Sequence, residues 1–378
     1  MLTLRGGAEL VAAWAQLASV IELVAGVALA GLGTGISVLV AQSGRPDQQR
    51  ALLRESLRLG LGVSVPVMFA VAAACWFFAD AVAGGGIPRS LLVLSAASGC
   101  IAVVPGMLNG YWLGQQRRDL MLALALATAA LPFLGSISAS RDWILAAVVV
   151  AQALPALVAP LVIRAGAYTP LSPSDWEQSR RMLRRYLAPG LAIGILSPAS
   201  MLLARSIVSG AMSWHDVGLL QALWRVSDAV TAIAGGFMAV HFLPRLSAAH
   251  GTPQFALELK RTTWVTVVPA GVVLAILAIF QQPIIFLLYG PEFRIPDASV
   301  ILLFAGTLAR IASWAPLFGL YAMRRTRPIA AGELLSLPLF TALLFLFRED
   351  LTLERASAMW LAAYLAYWLF NRWMVIRN

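Results

Sequence analysis

Three polar side chains lie close together on an otherwise apolar stretch between Asp216 and Pro244. Gln221, Arg225 and Asp228 are separated by four and three residues, which places them along one stripe of a helix. A charge near the centre of a bilayer costs about 3 kcal/mol on insertion scales, so such a helix should turn its charges toward a partner or a water-filled cavity. Arg225 and Asp228 can pair with each other, and their charges can also bind a ligand. The stretch therefore predicts a functional site inside a membrane.

Two more arginines and one glutamate fall inside apolar stretches. Arg310 lies near the middle of its stretch and Arg205 nearer to one end, and neither has an acidic residue three or four positions away. Their counter-charges must come from another helix or from a ligand, although Arg205 can also extend to the membrane interface. Glu22 is predicted to lie deep in the first helix, as a counter-charge or as a titrating carboxylate coupled to proton or sodium movement. Trp224 is predicted either to contact a ligand or to pack in the core.

The composition places these residues in a polytopic membrane protein. Hydrophobic residues make up 60% of the chain, charged residues only 12%, and the mean hydropathy is +0.80. The apolar stretches lack the period-two alternation of barrel strands, so the predicted fold is all-α. With about 20 residues per span, eleven helices are predicted, at 9–42, 59–83, 89–113, 120–139, 143–163, 186–210, 216–243, 264–289, 298–322, 328–347 and 356–376.

The lysines and arginines that give the chain its net charge of +10 are distributed over the loops as a membrane topology requires, and this distribution does not indicate a basic surface for nucleic acid. Nineteen lysines and arginines fall in one alternating set of loops and six in the other, and Arg205, Arg225 and Arg310 lie within spans. By the positive-inside rule the richer set faces the cytoplasm. The C-terminus is then cytoplasmic and, with eleven spans, the N-terminus is outside. Nucleic acid is not an expected partner.

The sequence offers no pattern typical of an enzyme or of a metal site. Cys75 and Cys100 stand in apolar stretches without a C-x-x-C spacing, and His215, His241 and His250 share no helix face. No glycine-rich nucleotide loop or nucleophile elbow is visible. We therefore expect no cofactor, no metal and no catalytic residue. A membrane glycan polymerase or ligase would need a large external loop, and the external loops here are short.

The chain is predicted to contain two related halves. An N-terminal bundle spans 1–164, a basic cytoplasmic linker spans 165–185, and a C-terminal bundle spans 186–378. The stretches 9–83 and 216–289 share one plan of helix, basic amphipathic segment and returning helix. Because parallel repeats need an even number of helices per half, five spans followed by six predict that a first helix is missing upstream. A cleaved signal peptide is the alternative, and Glu22 argues against it.

Three segments resemble the polysaccharide flippases of the multidrug/oligosaccharidyl-lipid/polysaccharide exporter superfamily. They are GLGTGISVLVAQ at 31–42, LNGY at 108–111, and VGLLQALWRVSD at 217–228 with FLPRLS downstream. The likeness is greatest to the O-antigen and enterobacterial common antigen translocases of the Wzx type. The resemblance implies twelve helices and translocation of an undecaprenyl-diphosphate-linked oligosaccharide across the inner membrane. Lipid-linked glycan, membrane lipids and other polysaccharide-assembly membrane proteins are the implied partners.

The intramembrane charges suit the anionic headgroup of such a substrate. Arginine binds phosphate through a planar fork of donors and stays charged in apolar surroundings. In a cationic central cavity, the diphosphate and sugar would be held by Arg225, Arg310, Arg205, Gln221 and Trp224, with Asp228 and Glu22 tuning charge or coupling an ion. A multidrug exporter of the same superfamily is the rival prediction, but it would need an acidic cavity for cationic drugs. The five strongest charges within these spans are three positive, Arg205, Arg225 and Arg310, and two negative, Glu22 and Asp228.

Overall fold

The computed structural model describes residues 2–43, 45–83, 86–135, 140–160, 173–290, 293–323 and 325–377. Within these ranges the chain is helical and contains no strand. Two short 3₁₀ turns lie at Leu154–Val158 and Arg348–Asp350. The α-helices are α1 Leu2–Gln42, α2 Pro46–Phe77, α3 Ala79–Ala83, α4 Arg89–Gly114, α5 Arg118–Gly135, α6 Arg141–Ala153, α7 Pro173–Ala211, α8 Trp214–Ala249, α9 Gln254–Ile279, α10 Gln281–Tyr289, α11 Asp297–Ala322, α12 Thr326–Leu334, α13 Leu337–Leu346 and α14 Leu353–Ile376.

The all-α, polytopic membrane class predicted from the sequence is confirmed. Seven helical stretches of the described chain are long and apolar enough to cross a bilayer: Gly7–Leu29, Pro46–Phe77, Arg89–Gly114, Gly194–Ala211, Gln254–Ile279, Asp297–Ala322 and Arg327–Leu346. A shorter apolar helix covers Asp142–Val158. The three remaining predicted windows coincide with α5, α8 and α14. These three helices are not among the seven stretches that are both long and apolar enough to cross a bilayer. The number eleven therefore stays a prediction.

Three of the predicted windows are divided rather than continuous. The window 59–83 breaks at Phe78, the window 264–289 breaks at Phe280, and the window 328–347 breaks at Leu335–Ser336. Pro338 stands in the first turn after the last of these breaks. A proline lacks the N–H that would continue the preceding helix, and it disfavours helical geometry in the residue before it. The broken window leaves α12 and α13 as two half-length helices.

The chain forms two compact units. Unit 1 contains residues 13–202, and unit 2 contains residues 2–12 together with residues 203–378. Helix α1 therefore contributes to both, and its backbone leaves helical geometry at Gly7, where φ is 62°. The boundaries predicted at 164 and 186 stay predictions, and residues 161–172 lie outside the described residues.

Close helix contacts through glycine hold each unit together. In unit 1, a Cβ placed on Gly110 of α4 would lie 2.7 Å from the Gly33 carbonyl oxygen of α1, and one on Gly114 would lie 2.6 Å from the Ser37 carbonyl oxygen. In unit 2, a Cβ on Gly306 of α11 would lie 2.5 Å from Trp360 of α14. Small residues let two membrane helices approach until their backbones touch. These contacts fix α1 against α4 and α11 against α14.

Loops that the charge pattern assigns to one side of the membrane meet in the structure. In unit 1, the Gln115 amide donates to Gln49 at 2.8 Å, which joins the end of α4 to the start of α2. In unit 2, the Arg325 guanidinium donates to the Met374 carbonyl oxygen at 3.1 Å, which joins the start of α12 to the end of α14. Each pair joins loops from the predicted cytoplasmic set. The packing within each unit is consistent with the predicted topology.

Cysteine labelling tests the orientation in which these loops lie. Cys75 and Cys100 are buried, so a background with both replaced by alanine should accept a reporter cysteine. We expect Thr252→Cys to react only when a membrane-impermeant maleimide reaches the cytoplasm. Asp350→Cys, exposed on the opposite predicted side, should react in intact cells. The reverse pattern would contradict the positive-inside assignment.

Candidate functional site

Helix α8 positions the polar residues singled out in the sequence. It begins after Ser213, whose hydroxyl accepts the Asp216 backbone N–H at 3.1 Å, which is the usual N-terminal cap. Along the helix, Ser227 is fully buried and its hydroxyl pairs with that of Thr307 on α11 at 2.7 Å. This hydrogen bond fixes the rotation of α8 against α11. Asp228, the next residue, then lies beside α11.

The central contact of the site is an ion pair between α8 and α11. A terminal guanidinium nitrogen of Arg310 lies 3.3 Å from Asp228 Oδ1. The Arg310 side chain is 24% exposed and that of Asp228 is 44% exposed. Arg310 therefore finds its counter-charge on another helix, 82 residues away along the chain. The i,i+3 pairing of Arg225 with Asp228, which the sequence allowed, is replaced by this contact between helices.

Aromatic rings surround the other faces of Arg310. Its guanidinium carbon lies 6.0 Å from the centre of the Trp314 ring, 5.8 Å from that of Trp360 and 5.5 Å from that of Tyr364. Cations are attracted to aromatic faces at such distances. Together with Asp228, the three rings hold the guanidinium in one orientation. Arg310 is consequently a fixed positive charge rather than a mobile one.

The remaining predicted residues of α8 differ in their access to a ligand. Arg225 is partly exposed and lies one turn before Asp228, where it interacts electrostatically with Tyr289 of α10. Gln221 is buried, and its Oε1 has no hydrogen-bond partner among the described residues. Trp224 is 1% exposed and packs against Phe340 and Trp360. This is the packing interpretation of Trp224 that the sequence left open.

Arg205 and Glu22 belong to helices other than the two that form the ion pair. Arg205 is a buried residue of α7 in unit 2. Glu22 belongs to unit 1 and is an exposed residue of α1, although Gln16 and Ser19 on the same helix are buried. The Gln16 amide donates to the Val82 carbonyl oxygen. Gln16, Ser19 and Glu22, each three residues from the next on α1, are thus divided between core and surface.

The structure adds a second group of polar residues that the sequence analysis did not assign to the site. Glu333 stands at the end of α12, beside the break, and accepts the Tyr367 hydroxyl at 2.9 Å. Asn371 is fully buried one turn beyond Tyr367 on α14, against Gly332. Tyr364 and Tyr367 are ring neighbours at 6.3 Å, so a polar row runs from Asp228 to Glu333. The spacing of Trp360, Tyr364, Tyr367 and Asn371 marks one helix face and was the available signal.

The arrangement of these charged groups suits electrostatic binding of a ligand. Among the described residues, no group of three or more histidine, cysteine, aspartate or glutamate side chains could hold a metal ion. The site instead offers a fixed arginine, a partly exposed arginine and a partly exposed carboxylate within two helices. Such a set can hold an anion and orient polar groups beside it.

Comparison with known proteins relates the chain to a class of membrane transporters by fold. The sequence matches no family model, and no curated protein is significantly similar to it. Among solved structures, an inward-facing multidrug resistance MATE family transporter of the MOP superfamily gives a TM-score of 0.74 at 14% identity, covering 100% of this chain and 93% of that one. The lipid II flippase MurJ, in an inward closed conformation, gives 0.71 at 14% identity, covering 99% and 84%.

A further solved structure extends the same likeness. An outward-facing MATE family transporter of the MOP superfamily gives a TM-score of 0.63 at 13% identity, covering 99% of this chain and 92% of that one. Matches over almost the whole chain at such low identity show that the fold is shared. The fold of this protein is therefore that of MOP-superfamily transporters and the MurJ flippase.

Proposed function

We propose that this protein is a flippase that moves an undecaprenyl-diphosphate-linked oligosaccharide from the cytoplasmic to the periplasmic leaflet by alternating access. The observation that carries the proposal is the charge arrangement on α8 and α11. Asp228 neutralises Arg310, which leaves the partly exposed Arg225 as a further positive charge one turn away. A diphosphate is the lipid headgroup that such a charge suits best. The inner membrane is the expected location, with the C-terminus cytoplasmic.

The shared fold supports transport rather than catalysis. MurJ is a lipid II flippase, and the MATE proteins are multidrug resistance transporters. Both are transport proteins, which fits the expectation that this chain is not an enzyme. The Wzx-type resemblance of 217–228 favours a glycan-bearing lipid as cargo. Other membrane proteins of polysaccharide assembly would supply that lipid or receive it.

Multidrug export is the second candidate function, and one observation favours it. Asp228 is 44% exposed, so a carboxylate is accessible beside the aromatic rings around Arg310. Carboxylates and aromatic rings together bind organic cations. The positive charge of Arg225, which has no neutralising partner among the ion pairs of the described residues, opposes such a ligand, which is why we place drug export second.

Replacement of Arg225 distinguishes the two functions. We expect Arg225→Gln to reduce glycan export by about tenfold to a hundredfold, because a hydrogen bond to a charged group contributes roughly 1.5–3 kcal/mol. Export would be measured by complementation of a flippase-deficient strain and by the accessibility of the lipid-linked glycan in each leaflet. Membrane expression would be matched between variants.

The matched control is Arg261→Gln, which removes a guanidinium that is 60% exposed and pairs with Glu258. It should leave export unchanged. Unchanged export in Arg225→Gln would contradict the proposed role of this arginine. Increased efflux of a cationic dye by Arg225→Gln, without any glycan export by the unmodified chain, would favour the multidrug function.

A further inference from the structure

Helix α2 of unit 1 and helix α7, whose residues 173–202 belong to unit 1, are longer than a bilayer is thick. They contain 32 and 39 residues, which corresponds to about 48 and 58 Å at 1.5 Å per residue. The hydrocarbon region is about 30 Å thick. The apolar windows predicted from the sequence begin at 59 and 186, so the segments 46–58 and 173–185 are expected to extend beyond the hydrocarbon. Both segments are at the end of unit 1 predicted to face the cytoplasm.

The two extending segments pack against each other. Leu183 of α7 is fully buried in one hydrophobic cluster with Leu52 and Leu53 of α2. The Glu55 side chain is only 4% exposed, and its Oε1 lies 3.4 Å from Arg180 Nε. Glu55 also interacts electrostatically with Arg58 and Arg184. The buried Glu55 carboxylate thus interacts with arginines of both helices.

The two packed segments, 46–58 and 173–185, form a corner of unit 1 that is strongly positively charged. Segments 46–58 and 173–185 contain seven arginines and four carboxylates. Glu55 lies near three guanidinium groups, and Arg58 and Arg184 are both exposed. Arg58 directly precedes the apolar window of α2, and Arg184 lies two residues before that of α7. Both guanidinium groups are therefore expected at the depth of the lipid phosphates.

We propose that this corner is a binding site for the phosphate group of an anionic phospholipid in the adjacent leaflet. Arg58 and Arg184 would bind the phosphate from two helices, and Arg180 would hold the segments together through Glu55. Guanidinium groups bind phosphate oxygens in a bidentate manner. Basic residues immediately beside a membrane span are a known means of anionic lipid recognition. A bound lipid would link α2 to α7 and stabilise unit 1.

The test uses the purified full chain in nanodiscs of phosphatidylcholine, with or without phosphatidylglycerol. Thermal unfolding followed by fluorescence of the 12 tryptophans reports stability, and native mass spectrometry counts retained phosphatidylglycerol. We expect phosphatidylglycerol to raise the Tm of the unmodified chain. The double variant Arg58→Gln/Arg184→Gln should lose that increase and bind phosphatidylglycerol roughly tenfold to thirtyfold more weakly.

The matched control is Arg117→Gln/Arg118→Gln, which removes the same charge from the same predicted side. Arg117 is highly exposed and pairs with the exposed Asp119. This control should keep the phosphatidylglycerol effect. If both double variants lose the phosphatidylglycerol-induced rise in Tm equally, the rise depends on general surface charge, and the proposal is overturned. An equal rise in Tm with inorganic diphosphate alone, in phosphatidylcholine nanodiscs, would assign the site to a soluble anion instead.

A second variant, Glu55→Gln, is expected to increase the stabilisation by phosphatidylglycerol rather than to remove it. Glu55→Gln removes the carboxylate around which the arginines gather, so their mutual repulsion increases. Its Tm in phosphatidylcholine should fall, and phosphatidylglycerol should restore a larger part of it than in the unmodified chain. A fall in Tm of equal size in both lipids would show that Glu55 acts only through packing, and would contradict the lipid site.

Discussion

Asp228→Asn is expected to destabilise unit 2 by about 1–3 kcal/mol and to abolish transport. The substitution keeps the shape of the side chain but leaves the Arg310 guanidinium without its counter-charge at 3.3 Å. Breaking a fully buried pair on one side costs about 3–5 kcal/mol. The partial exposure of both side chains lowers this figure, because solvent screens the remaining charge. The apparent free energy of unfolding in mixed micelles measures the loss.

The same pair predicts a definite pattern in a double-mutant cycle. Arg310→Gln should be less costly than Asp228→Asn, because the carboxylate left behind is the more exposed partner. The double variant should be no less stable than Asp228→Asn alone, since the unpaired charge is then absent. Additive losses would mean that the two residues act independently.

An exposed pair provides the control for this cycle. Asp350→Asn breaks a contact of 3.3 Å with Arg355 in which the carboxylate is 81% exposed. We expect a change below about 0.5 kcal/mol, because exposed ion pairs contribute little. A loss at Asp350 as large as that at Asp228 would indicate a general sensitivity of unit 2 to neutralised carboxylates.

Gly306→Ala is expected to have the largest effect on folding. The new Cβ would lie 2.5 Å from Trp360 Cδ1 and 2.9 Å from the backbone nitrogen and Cα of Leu361. Trp360 cannot move aside easily, since it packs against Trp224, Phe340 and Tyr364. Helix α14 must therefore shift away from α11. Overpacking of this kind costs about 1–3 kcal/mol or more.

Separation of α11 from α14 should also disturb the candidate site. Arg310 lies on α11, and two of the rings around it, Trp360 and Tyr364, belong to α14. Gly306→Ala should consequently lower both the Tm and the transport rate. Size-exclusion chromatography and thermal unfolding would measure the effect on folding, and the export assay would measure the effect on function.

Gly271→Ala is the control for this substitution. Gly271 lies on α9, and a Cβ there would meet only Leu308 side-chain atoms at 3.6 and 3.7 Å, an ordinary contact. Because alanine favours the helix by about 1 kcal/mol over glycine, this variant should be as stable as the original chain or more so. A Tm of Gly306→Ala equal to that of Gly271→Ala would contradict the close contact.

The sequence alone determined the class of this protein and predicted the depth of its charges. Hydropathy reports the helices, because each span must satisfy its backbone hydrogen bonds internally. The same patterns placed Arg225, Asp228 and Arg310 within spans. These features depend on residues near one another in the chain, so one sequence is enough to predict them.

Tertiary structure alone decided which of these groups meet. Asp228 pairs with Arg310 rather than with Arg225, its neighbour three residues earlier. On one helix, a base that precedes an acid is the less favourable order, and the packing of α8 on α11 through Ser227 and Thr307 brings the other guanidinium closer. The burial of Trp224 and the contact of Glu333 with Tyr367 likewise join helices distant in the chain. Local periodicity gives the face of each residue, whereas the partner opposite that face depends on how the helices pack.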